Sequence, residues 1–170
     1  MNPDDEVEIL LVEDDPDDVK LTLHTFAKFN LSNKLHVVTD GAAALDFIFC
    51  TGPYAGRSIN NPPKVVLLDI KLPKINGLEV LRRVRADPRT TGLPIVLLTS
   101  SQEDSDLVEG YHNHANSYIV KPVNFDTFAN AIRELGLYWL VLNATRRTGP
   151  DSAGAAAVDP GGGGSEAPNS

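Results

Sequence analysis

Cysteine is almost missing from this chain: Cys50 stands alone among 170 residues. A lone cysteine cannot close an internal bridge, and the count suits a reducing compartment. The sequence has no run of about 18 apolar residues, the length needed to span a bilayer. The N-terminal "MNPDDEVEILLVEDD" starts acidic where a secretory signal carries positive charge. Basic residues are also scarce: 15 Lys and Arg against 23 Asp and Glu give a formal net charge of -8. That balance argues against non-specific nucleic-acid binding, which depends on neutralising phosphates, and disfavours an anionic membrane surface. These absences lead us to expect a soluble, cytoplasmic protein with neither nucleic acid nor membrane as partner. The length suits one domain whose core needs no staple.

Composition divides the chain near Asn143. Beyond it, "TRRTGPDSAGAAAVDPGGGGSEAPNS" offers almost nothing apolar larger than Ala. We expect residues 144–170 to be a disordered tail and residues 1–143 to form the domain. Within the domain, strand-like and helix-like segments alternate. "VEILLV" leads to "DDVKLTLHTFAKFN", "LHVVTD" to "GAAALDFIF", and "KVVLLD" to "GLEVLRRVRAD". "PIVLLTS" leads to "EDSDLVEGYHNH", and "SYIVK" to the last helix, "NFDTFANAIRELGLYWLVLN". Short Val/Ile/Leu-rich strands, each followed by a helix, predict an α/β doubly wound, five-stranded parallel sheet flanked by five helices. In such sheets ligands gather beyond the carboxyl ends of the strands.

Those ends carry chemistry. The first strand runs into Glu13, Asp14 and Asp15, the third ends on Asp69, the fourth on Thr99 and Ser100, and the fifth on Lys121 before Pro122. Each has a plain explanation alone: acids and hydroxyls favour a helix start, and Lys before Pro marks a strand leaving the sheet. Together they bring carboxylates, a hydroxyl and an ammonium to one sheet edge. Clustered carboxylates need a counter-charge, and all-oxygen ligation suits Mg²⁺, which keeps waters for phosphate oxygens. The pattern fits a phosphoryl group carried by Asp69.

An acidic pair after the first strand, Asp69 followed by "IKLPKINGLEVL", "LLTSS" after the fourth and "YIVKP" at the fifth resemble the receiver domain of two-component response regulators. The likeness runs from about Glu6 to Leu142. It implies a flavodoxin-like fold with Asp69 as phosphoacceptor from a sensor histidine kinase. Asp14, Asp69 and the Lys71 carbonyl would ligate Mg²⁺, with Glu13 acting on it through water. Thr99 and Lys121 would bind the phosphoryl oxygens, while Thr99 and Tyr118 would relay the switch to the fourth helix, fifth strand and fifth helix. On this reading the protein is a signalling phosphoacceptor that catalyses only its own phosphorylation and dephosphorylation. Glu13 departs from the Asp common in receivers. Lys71 and Ser101 occupy the variable positions that tune phosphoryl lifetime.

With no helix-turn-helix or basic patch in view, we expect a stand-alone regulator. The long loop "CTGPYAGRSINNPPK", with "DDPDDVKLTLHTF" and "VLRRVRAD", resembles regulators paired with bacterial phytochrome kinases. The segment "LGLYWLVL" is apolar nearly all round, more than one buried face uses. Leu137, Tyr138, Trp139 and Val141 are therefore expected to form a homodimer interface. Two alternatives remain: a receiver that docks without phosphorylation, and a phosphatase with an Asp nucleophile, which would want a second acid where Lys71 stands. His112 and His114, two apart on an expected helix, are assigned no metal, and His24 and His36 are read as ordinary surface or boundary residues.

Overall fold

The computed structural model describes residues 7–28, 31, 34–100 and 114–142. The expected helix "EDSDLVEGYHNH" lies almost wholly outside them, as do Ser101, His112 and the expected tail. Five strands form one parallel sheet: β1 (Ile9–Val12), β2 (Leu35–Val38), β3 (Val65–Asp69), β4 (Ile95–Thr99) and β5 (Ser117–Val120), in the order β2-β1-β3-β4-β5. Around them are α1 (Pro16–Ala27), α2 (Gly41–Phe49), α3 (Gly77–Ala86) and α4 (Phe125–Glu134). In the expected series α4 was the fifth helix.

Both faces of the sheet are covered, which is why its strands read as continuous apolar runs. Leu10, Val12, Val66, Leu68 and Leu97 point to one side, where α2 supplies Phe47 and α3 supplies Val80, Leu81 and Val84. Their strand neighbours Ile9, Leu11, Val65, Leu67, Val96 and Leu98 point to the other, against Phe26 of α1 and Phe128 and Ile132 of α4. The period of two along each strand thus divides one apolar run between two cores.

Helix starts follow their local chemistry. Asp15, Asp40, Asn76 and Asn124 each accept a backbone N–H of the first turn of α1, α2, α3 and α4. At Asn124 the cap is reciprocal, because Thr127 Oγ1 accepts the Asn124 N–H. Gly77 is required by crowding: a Cβ there would lie 2.1 Å from the Asp69 carbonyl oxygen. Its absence lets α3 begin directly against the end of β3.

The last helix is shorter than its sequence suggests. It stops at Glu134, with Gly136 in the left-handed region at φ 73°. Gly136 N–H donates to Arg133 and Leu137 N–H to Ile132, closing the helix in a Schellman arrangement. A separate turn of helix over residues 139–142 then tucks Leu140 and Val141 into the core. The long loop after α2 is an ordered cover. Tyr54 donates to or accepts from His36 Nε2 at 3.1 Å, His36 stacks on Phe47, and the Arg57 guanidinium lies 3.6 Å from the Phe47 ring centre. Burial, aided by the Arg57 charge, holds His36 below its ordinary pKa, and His36 is a half-buried boundary residue. His24 is exposed.

Candidate functional site

The strand order places β1 and β3 side by side and sends their connections to opposite faces of the sheet. A crevice opens at their carboxyl ends, where such a reversal leaves room for a ligand. Asp69, the last residue of β3, is only 4 % exposed, and Glu13, immediately after β1, only 1 %. Asp14 beside it is exposed, giving the cluster a route to solvent. One carboxylate oxygen from each of the three lies within 4.8 Å of the others. Like charges at that spacing repel by about 3 kcal/mol per pair at an effective dielectric near 20, so the cluster requires positive charge.

Lys121, directly after β5, supplies some of it. Its Nζ donates to Glu13, Asp18 and Asp69, each at 3.1 Å. Burial acts to lower the Lys121 pKa, but the bonds to Asp18, Asp69 and Glu13 and the Asp69 charge outweigh it and hold the ammonium above its ordinary range. One ammonium still faces four carboxylates. Glu13 shows the deficit: burial first, then a hydrogen bond with Asp69 and its charge, raise its pKa to about 7 against the lowering effect of the Asp15 N–H and Lys121.

A second unmet need lies at Thr99, which ends β4. It is 1 % exposed, and its hydroxyl finds no hydrogen-bond partner among the described residues. A buried unpaired hydroxyl costs stability and so calls for an explanation, and a donor awaiting an oxygen ligand is one. The all-oxygen donor set of Glu13, Asp14 and Asp69 fits a hard divalent cation. Asp69 Oδ1 accepts the Lys71 N–H at 3.3 Å, while the Lys71 side chain is exposed. That bond fixes the first step of the loop after β3.

The structure therefore brings together Glu13, Asp14, Asp69 and Lys121 in direct proximity, and sets Thr99 next to Asp69's strand and to Lys121, whose N–H bonds the Thr99 carbonyl at 2.8 Å. Tyr118 in β5 is 42 % exposed, its ring turned outward. Asp18 lies outside the convergent oxygen cluster and joins the site through its bond to Lys121; in the sequence it reads as one of several acids favouring the start of α1. Of the four residues expected at a dimer interface, Tyr138 and Trp139 are exposed and Leu137 is half-buried. Val141 is 4 % exposed and belongs to the chain's own core, so it presents no interface.

The family model of the response regulator receiver domain matches residues 9–133. The "Probable methanogenesis regulatory protein FilR2" of Methanothrix harundinacea (strain 6Ac) is 39 % identical over 142 residues, 84 % of this chain and 88 % of that protein. Among solved structures, the bacteriophytochrome response regulator RtBRR is 48 % identical with a TM-score of 0.71, over 82 % of this chain and 88 % of that one. The Mn²⁺-bound form of response regulator Rcp1, a protein of Synechocystis sp., is 32 % identical with a TM-score of 0.61, over 78 % and 93 %.

Proposed function

The chain belongs to the response regulator receiver family, and on that premise we propose that Asp69 is its phosphoacceptor, charged by a phosphohistidine of a sensor histidine kinase. One observation carries this reading: a buried strand-end carboxylate, Asp69, bonded to Lys121 and convergent with Glu13 and Asp14. In the transfer an Asp69 oxygen forms a bond to phosphorus as the P–N bond to the donor imidazole breaks, its electron pair staying on nitrogen. Such a reaction asks the protein for position and charge stabilisation. Glu13, Asp14, Asp69 and the Lys71 carbonyl would hold Mg²⁺, whose charge would neutralise the phosphoryl oxygens. Lys121 gives an N–H donor to the phosphoryl group, and Thr99 gives the hydroxyl that lacks a partner among the described residues.

The acyl phosphate is a local change of charge with a distant readout. As Thr99 turns toward the phosphoryl oxygens, Tyr118 moves in from its exposed position and reshapes the surface of β5 and α4, the fifth strand and fifth helix of the expected series; the expected fourth helix lies outside the described residues. The likeness to RtBRR supports a bacteriophytochrome as the kinase, which would place this protein in the cytoplasm. Tyr138 and Trp139 support a homodimer built at the C-terminal turn. A sedimentation experiment at tens of micromolar that found monomers with and without phosphorylation would end that part of the proposal.

Incubation with Mg²⁺ and acetyl phosphate, followed by intact mass, tests the function. A single phosphate adduct lost in Asp69→Asn is expected. Multiple turnover of phosphomonoesters would instead identify a phosphatase, and the absence of any adduct a module that docks without phosphorylation.

A further inference from the structure

An ammonium has three N–H donors and no acceptor, and Lys121 Nζ spends its donors on three carboxylates at 3.1 Å. A phosphoryl oxygen can engage Lys121 only if one of them lets go. The three are not equivalent. Glu13 and Asp69 belong with Asp14 to the convergent oxygen cluster, and Asp18 does not. The side chains of Glu13 and Asp69 are 2 % and 6 % exposed, that of Asp18 34 %. In the metal-free site, release of either buried partner would strand a charge in the interior, whereas release of Asp18, the most exposed of the three and outside the metal-ligating set, returns its carboxylate to water. Asp18 is carried on a helix. It sits in the first turn of α1, its own N–H bonded to the Asp15 cap at 3.4 Å.

We propose that Asp18 is a positioning residue for phosphoryl transfer, holding Lys121 over Asp69 before the reaction and releasing it to the incoming phosphoryl group. The inference rests on the receiver reading and deepens it. Asp18 acts as a competitor: it occupies one Lys121 donor and sets a negative charge at the mouth that the phosphoryl oxygens must approach. Its removal favours the phosphoryl-bound state. The charge on Asp18, rather than its bulk, carries the effect, so glutamate at the same position retains it and asparagine does not.

Beryllium fluoride, which mimics a phosphoryl group on a carboxylate, is the probe, titrated calorimetrically in saturating MgCl₂ into the full chain, Asp18→Asn and Asp18→Glu. Thermal unfolding of each variant serves as the folding control. Asp18→Asn is expected to bind the probe about three- to fivefold more tightly, the scale of a partly exposed ion pair, with the gain shrinking as salt is added. Asp18→Glu is expected to stay within about twofold of the parent, since the opposing charge is kept. Equal or weaker binding by a folded Asp18→Asn would overturn the role of Asp18 while leaving the receiver reading intact. If the parent chain binds no beryllium fluoride, the receiver reading falls, and this inference with it.

Discussion

Glu13→Gln, a neutral replacement of nearly the same shape, measures the charge deficit of the site. In the metal-free fold the Glu13 pKa stands at about 7 against an ordinary 4.5. A carboxylate raised by folding takes up protons on folding between those two values, so its contribution to stability is complete below pH 4.5 and is lost as the pH rises to about 7. The gap, about two and a half pKa units, corresponds to about 3 kcal/mol of unfavourable ionisation at pH 8. Glutamine avoids that cost, because its amide can donate to Asp69 and its carbonyl can still accept from Lys121 and the Asp15 N–H. Urea unfolding in EDTA at pH 8 should therefore find Glu13→Gln more stable than the parent by about 3 kcal/mol, and the difference should vanish near pH 4.5. Saturating Mg²⁺ should reverse the order, because binding to the native state stabilises the parent and the variant has lost a ligand. A variant less stable than the parent at pH 8 in EDTA, or a difference independent of pH, would refute the electrostatic argument.

Thr99→Val replaces the buried hydroxyl, which has no partner among the described residues, with a methyl of similar volume. It is expected to leave the metal-free protein equally stable or stabler by about 1 kcal/mol in thermal unfolding, while beryllium fluoride binding in saturating Mg²⁺, read by calorimetry, is weakened because the phosphoryl mimic loses a donor. Gly77→Ala drives a Cβ against the Asp69 carbonyl oxygen. A loss of about 1–3 kcal/mol in chemical denaturation is expected, together with weaker Mg²⁺ binding by calorimetry, because β3 must shift to make room.

Much of this arrangement was legible because local and global signals agreed. Helix α2 coincides with its sequence segment: Asp40 caps its start, and Cys50 at φ 56° ends it. The five strands emerged from apolar runs too short for helices, and the strand ends pointed to Glu13, Asp14, Asp69, Thr99 and Lys121. The end of α4 was misjudged because "LGLYWLVL" is apolar enough to read as continued helix. Gly136 held the correcting signal, since a glycine after a basic last turn favours the left-handed stop, and the chain after it folds back to bury Leu140 and Val141. Asp18 was hidden for another reason. An acid in the first turn of a helix already has a sufficient local cause, and only the three-dimensional approach of α1 to β5 shows that it also bonds Lys121.

The proposed phosphoryl transfer forms an acyl phosphate on Asp69. Borohydride reduces an acyl phosphate to the alcohol, so an aspartate that carried the group becomes homoserine. Treatment of the Mg²⁺ and acetyl phosphate product with borohydride, then peptide mass mapping, reads the position directly. Homoserine at position 69, absent when Mg²⁺ is withheld, is the result expected. Homoserine at position 14 or 18 instead, or an unmodified Asp69 in a protein that carries phosphate elsewhere, would contradict it.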